Sequence, residues 1–278
     1  LMFVLALAVN AQTNIFSDNF DSYTAGQKLA QQSGAPWTTW SSAPGGSEDG
    51  VISSTQSHST PNAVYIVNNN DQVLQLNDKT TGRYRLEWYM FVENGKLGYF
   101  NILSDFAAAN SKWAFQVWIS GDSLIVDANG PSATWIPFTN DIWTKMTYIV
   151  DIDDDWATFY VNDAEVISYQ YSKGSQGTDN SLKLDGVNFY GWNKTSLSSG
   201  YYIDDLTFYS MPVPESPINL TAALNVGDVD VNWDAPSTVP DGYKLSRNGK
   251  AVFSTPSALT YTDVAPWPNT YFYAVRAH

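Results

Sequence analysis

Six runs rich in aromatic and β-branched residues limit what this chain can fold into: YRLEWYMFV (84–92), KWAFQVWIS (112–120), WTKMTYIVDI (143–152), WATFYVN (156–162), GVNFYGW (186–192) and YYIDDLTFY (201–209). Such residues suit a pleated, half-buried surface, and Gly, Asn, Asp and Ser clusters separate the runs as turns would. No window shows a sustained 3.6-residue apolar stripe. Strands that follow strands without intervening helices predict an all-β, antiparallel sandwich rather than an α/β fold. Asp151, Asp153 and Asp155 begin like a calcium loop, but Trp156 stands where that loop needs glycine and Asn162 where it needs glutamate. The segment therefore reads as a hairpin turn between two strands.

Composition narrows the chemistry. The 278 residues hold 28 Asp+Glu against 14 Lys+Arg, a formal charge of −14, which argues against nucleic acid, whose phosphates are bound by cations. Two histidines and no cysteine leave little room for zinc clusters, thiol nucleophiles or disulfides. His58 lies in a Ser/Thr-rich stretch, SHSTPN, where a structural or turn role is expected of it.

Residues 1–11, LMFVLALAVNA, match the apolar core of a secretory signal, with Val9 and Ala11 as the small residues before a cut. No later stretch is apolar and long enough for a membrane helix. Export without cysteine fits a bacterial exterior or cell surface. At 211–217, MPVPESP places three prolines in seven residues and reads as a linker. Domains are thus expected at 12–210 and 218–278.

The second segment resembles a fibronectin type III domain, on Trp233 in VNWDAP, GYKLSRNGK, TYTD at 260–263 and the alternation Tyr271, Tyr273, Val275, Ala277. The resemblance implies that Tyr271 is the tyrosine-corner residue and that the family's last strand would follow His278. The natural protein is therefore expected to continue, with the chain clipped at both ends. Residues 15–210 resemble the laminin-G-like or concanavalin A-like jelly-roll modules of secreted Bacteroidetes-type proteins. That likeness rests on FSDNFDSYTAGQ (16–27), SSTQSHSTPNAVYI (53–66), GYFNIL (98–103), WTKMTYIVDIDDDWATFYVND (143–163) and YYIDDLTF (201–208). It implies a sandwich that serves lectins, glycosidases, adhesins and spacers alike.

In related sandwiches an N-terminal acidic motif and a C-terminal aspartate pair can hold a structural calcium ion. Asp18 and Asp21 in SDNFDSY, with Asp204 and Asp205 in YYIDDL, would supply that set, and Asp21, Asp204 and Asp205 are the expected ligands. Successive strand residues point to opposite faces, so Asp204 and Asp205 can converge only where the strand bends.

Alternation also sorts the aromatics. Tyr84, Leu86, Trp88, Met90 and Val92 make one apolar face, leaving Glu87 and Tyr89 opposite. Trp113, Phe115, Val117 and Ile119 leave Gln116 and Trp118, while Val187 and Phe189 leave Asn188, Tyr190 and Trp192. Flat rings cover the C–H faces of sugars, and amides or carboxylates pair with their hydroxyls. Tyr89, Gln116, Trp118, Asn188, Tyr190 and Trp192 are thus the expected carbohydrate contacts.

A glycosidase would need two carboxylates facing one cleft. The compact E-x-D-x-x-E strand motif of concanavalin-like glucanases is absent: Glu87 and Glu93 lack its central aspartate, and Glu48 and Asp49 sit in the loop GGSEDG, which reads as flexible. The sequence therefore points to a secreted, non-catalytic, adhesive module that binds carbohydrate or another extracellular surface. A structural spacer for a domain beyond this chain is the alternative, and a polysaccharide-active enzyme using loop carboxylates a further one.

Overall fold

Apolar residues at every second position force each run to bury one face, and two sheets doing so against each other make the molecule. A computed structural model describes residues 12–107, 110–130, 133–175, 181–194, 196–237, 240, 242–264 and 270–277. The proposed signal segment 1–11 lies outside these described residues.

The first sheet contains, in spatial order, β3 (Val51–Ser53), β4 (Ala63–Val67), β17 (Gly200–Met211), β6 (Arg83–Val92), β11 (Trp143–Asp151), β12 (Trp156–Val161) and β13 (Ala164–Gln170); β1 (Thr13–Asp18) also pairs with β17. The second runs β2 (Trp37–Thr39), β5 (Asp71–Lys79), β14 (Leu184–Tyr190), β7 (Leu97–Asp105), β8 (Lys112–Ser120), β9 (Ser123–Asp127) and β10 (Thr134–Pro137). Both are antiparallel, and their order crosses repeatedly between chain-distant strands, giving the jelly-roll sandwich expected from the sequence. A five-residue helix, α1 (Leu29–Ser33), and a short hairpin of β15 (Asn193–Lys194) and β16 (Leu197–Ser198) complete this part.

The core between the sheets is aromatic. Trp88 and Phe100 meet edge to face at 4.8 Å, and Phe115 lies 5.0 Å from Phe159 and 5.1 Å from Tyr148, all fully buried. Two tyrosine hydroxyls enter this core as a relay: Tyr148 donates to Tyr169 at 2.7 Å, and Tyr169 donates to the Ala114 carbonyl at 2.9 Å. Each buried O–H is thereby satisfied, which removes the penalty for placing it among hydrocarbons.

Residues 212–217 have no regular structure. Beyond them β18 (Ile218–Asn225), β19 (Asp228–Asp234) and β22 (Thr260–Asp263) form a three-stranded sheet. β20 (Tyr243–Arg247), β21 (Lys250–Thr255) and β23 (Tyr273–Ala277) extend the first sheet through one residue pair, Tyr169 with Lys250. A small second core gathers Trp233, Val231, Tyr243 and Leu245. Polar contacts tie it to the larger part: Lys244 Nζ donates to Glu165 at 2.6 Å, and the Arg276 guanidinium covers the Trp156 ring at 4.3 Å while donating to the Asp154 carbonyl. Tyr271, the expected tyrosine-corner residue, lies under the guanidinium of Arg247 at 5.2 Å.

Candidate aromatic cleft on the second sheet

The outward face of β5, β14, β7 and β8 forms a cleft of about 300 Å³ lined by Trp40, Asp71, Tyr99, Asn101, Trp113, Gln116, Asn188 and Tyr190. Register builds it. Asn188 lies opposite Asn101, Asn101 opposite Gln116 and Gln116 opposite Asp127, so one polar row crosses four strands. Tyr190 stands opposite Asp71 two positions along, and its ring meets Tyr99 edge-on at 5.9 Å.

Hydrogen bonds link the row. Tyr99 donates to Gln116 Oε1 at 2.7 Å, Asn101 Nδ2 to Asn188 Oδ1 at 2.8 Å, and Asn188 Nδ2 to Asp71 Oδ1 at 2.6 Å. Gln116 Nε2 donates onward to Ser175 and Asp127. Asn101 is buried, yet its Oδ1 has no donor among the described residues. Burial pushes the Asp71 carboxyl up to about 7, against the pull of the Asn188 amide and with added repulsion from Glu48.

One wall is aromatic: Trp40 and Trp113 stack at 5.9 Å with planes 16° apart, and Trp40 leans edge-on against Phe106. Trp113 is 37% and Tyr190 40% exposed, so both rings present accessible surface beside a buried polar floor. Trp113 was expected on the core face, and the structure corrects this. The β7–β8 ladder slips between Ile102–Phe115 and Leu103–Trp113, so Ala114 turns into the core and Trp113 turns out beside Gln116. A bulge adds one residue to a strand and reverses the facing of what lies beyond it.

Of the six expected contacts, the structure brings Gln116, Asn188 and Tyr190 together in the cleft. Trp118 lies next to it, its ring 5.7 Å from Tyr99. Trp192 follows the end of β14 and donates its indole N–H to the Gly98 carbonyl. Tyr89 does not join them. It belongs to β6 in the other sheet, and the outward faces of the two sheets of a sandwich point in opposite directions. Sequence reasoning missed Trp40, Asp71, Tyr99 and Asn101. The alternation of Tyr99 and Asn101 with Phe100 and Ile102 was the available signal for two of them.

The four aspartates expected around calcium are occupied otherwise. Asp18 accepts from the Phe20 backbone, the Tyr23 hydroxyl and the Trp37 indole. Asp21 accepts from the Asn62 backbone N–H and the Asn19 amide. The β6–β17 ladder slips after Asp204, and Asp205 adopts φ 48°, so the strand does bend. Both side chains then receive the loop at 58–59: Asp204 accepts from the backbone of His58 and Ser59, and Asp205 from the Ser59 hydroxyl while pairing with His58 Nδ1 at 2.6 Å. In this structure these carboxylates thus anchor neighbouring loop segments. Among the described residues no three acidic or histidine side chains converge as metal ligands.

His58 also stacks on Tyr89 with ring centroids 3.5 Å apart. The aspartates, His58 and Tyr89 thus clasp a loop to the back of the first sheet. His58→Ala is expected to cost about 1–2 kcal/mol in urea unfolding, since one charge-assisted bond and one stack are lost. Asp49, expected in a flexible loop, is buried and accepts from the N–H groups of Ala30, Gln31 and Gly45.

No family model matches the chain, and no curated protein does. Solved structures resemble it in fold. One is a sialidase at 10% identity and TM-score 0.45, covering 68% of this chain, which spans 19% of the sialidase. Another is the alginate lyase Aly36B, crystallised as a mutant with an alginate trisaccharide, at 11% and 0.46, covering 74% of this chain and 100% of that one. A third is the Caenorhabditis elegans galectin LEC-6, at 9% and 0.36, with 52% and 94% covered. Among the described residues no helix is long and apolar enough to cross a membrane.

Proposed function

We propose that this is an exported or cell-surface module that binds carbohydrate in the cleft of the second sheet. The observation that carries the reading is the pairing of exposed rings, Trp113 and Tyr190, with a buried polar floor whose Asn101 oxygen has no donor among the described residues. A pyranose meets both demands at once, its C–H face against a ring and its hydroxyls toward the floor. Binding is favoured over glycoside hydrolysis because Asp71 is the one carboxylate among the described lining residues, and hydrolysis draws on two.

Affinity electrophoresis of residues 12–278 through gels containing soluble polysaccharides tests the reading. Retardation by at least one glycan, reversed by its free oligosaccharide, is expected. Unaltered mobility in every gel would overturn it.

Asp71 adds a pH signature. Its folded pKa lies above the ordinary 3.8, so its contribution to stability is fully present below about pH 4 and is lost as pH rises through about 7. Allowing for partial solvent access, the loss is about 2 kcal/mol relative to Asp71→Asn, whose amide cannot ionise. Urea unfolding of both proteins across that range checks it: parallel stability curves would contradict the assignment.

A further inference from the structure

The cleft's hydrogen-bonding balance names the kind of glycan it accepts. The donors of its polar floor are already used inside the protein. Tyr99 donates to Gln116, Gln116 donates to Ser175 and Asp127, and Asn188 gives its amide hydrogens to Asp71 and the Gln72 carbonyl. Asn101 donates to Asn188 and to the Tyr99 oxygen. What is left on the floor is acceptor capacity: Asn101 Oδ1, and the second carboxylate oxygen of Asp71, which receives no donor from the described residues. The charges against the polar row are acidic. Glu48 repels Asp71, Asp127 adjoins Gln116, and no lysine or arginine is among the described residues that line the cleft.

We propose, resting on the carbohydrate reading above, that the cleft selects uncharged, hydroxyl-rich glycans and rejects uronate or sulfated chains. A hydroxyl can donate to an oxygen that lacks a partner. A carboxylate or sulfate ester brings only acceptors and negative charge, so on the floor it would meet unpaired oxygens and like-sign repulsion. The two rings on the rim can stack on either class of sugar, so the floor supplies the discrimination.

The test is a paired titration of residues 12–278 at about pH 8, where Asp71 is ionised. Neutral hexasaccharides of β-linked glucose, xylose and mannose are compared with galacturonate hexamers and sulfated galactan fragments of equal length. At least one neutral ligand is expected to bind at least about tenfold more tightly than any anionic one. Asp71→Asn, with its fold verified by circular dichroism, is expected to narrow that ratio, because it removes a charge and supplies a donor. Equal affinity for the two classes, or preference for the anionic chains, would overturn the selectivity and leave carbohydrate binding standing. An unchanged ratio in Asp71→Asn would overturn the role given to Asp71. Failure of every ligand to bind would overturn both readings together.

Discussion

Gly191→Ala is expected to destabilise the protein by more than about 4 kcal/mol, beyond the range of most single substitutions. An alanine Cβ there would stand 1.8 Å from the Val67 carbonyl oxygen and 2.6 Å from its carbon, with Asn68 Cα also close. These are backbone atoms of the adjoining strand end, and the Gly191 N–H itself donates to the Asn70 carbonyl at 2.8 Å. Neither side can yield without breaking that bond or moving β4, which pairs with β17. The glycine also fixes Tyr190 and Trp192 on either side of it, so any variant that still folds should show a displaced rim and weakened ligand binding. Urea denaturation measures the first effect. A cost below about 1 kcal/mol would show that the close approach is not maintained in solution.

The second large effect concerns Trp88. Its ring is fully buried between Phe100 at 4.8 Å and Phe189 at 5.8 Å, each edge to face, so it joins the two sheets. Trp88→Ala would remove the ring and leave a cavity, costing about 3–5 kcal/mol. The indole N–H of Trp88 is buried with no acceptor among the described residues. Trp88→Phe removes that unpaired donor while keeping a six-membered ring, so it should cost far less, about 1.5 kcal/mol or below. The ordering of the two variants in denaturant midpoint is the informative quantity. Equal losses would mean that the indole is held by a bond rather than by packing.

The same alternation that hides Trp88 made much of the fold legible. Leu86, Trp88, Met90 and Val92 are all buried on the expected face, and the strands at 84–92, 112–120 and 156–162 lie within a residue or so of their expected ends. A period of two carries that information because each sheet buries one side. Three residues that line the cleft, Gln116, Asn188 and Tyr190, followed from the same rule. The rule fails where the ladder slips. The irregularity at Ala114 reversed Trp113, and no residue in KWAFQVW announces it. It is also silent about which sheet a strand joins, which is how Tyr89 was grouped with residues on the far side of the molecule.

β7 carries the same alternation, Tyr99 and Asn101 against Phe100 and Ile102, but both of its faces are buried from Leu97 to Ser104, so Tyr99 and Asn101 form the floor of the cleft rather than an exposed surface. The aspartates at 18, 21, 204 and 205 show a further limit. Acidic residues brought together from the two ends of a domain have one appearance in sequence whether they meet a cation or a loop's N–H groups. Here Asp204 meets the latter, and its burial raises its carboxyl to about 7 even as those N–H donors pull it down.

The central claim, that the cleft holds sugar through its exposed rings, is tested most directly by titrating one bound oligosaccharide into three proteins: the parent, Trp113→Ala and Trp135→Ala. Trp135 is 65% exposed on β10, at the edge of the same sheet and outside the cleft lining, so it controls for any exposed tryptophan. Loss of one stacking ring is worth about 1.5–3 kcal/mol. Trp113→Ala is therefore predicted to weaken binding by tenfold or more, while Trp135→Ala leaves it unchanged. Full affinity in Trp113→Ala, or an equal loss in both variants, would contradict the account.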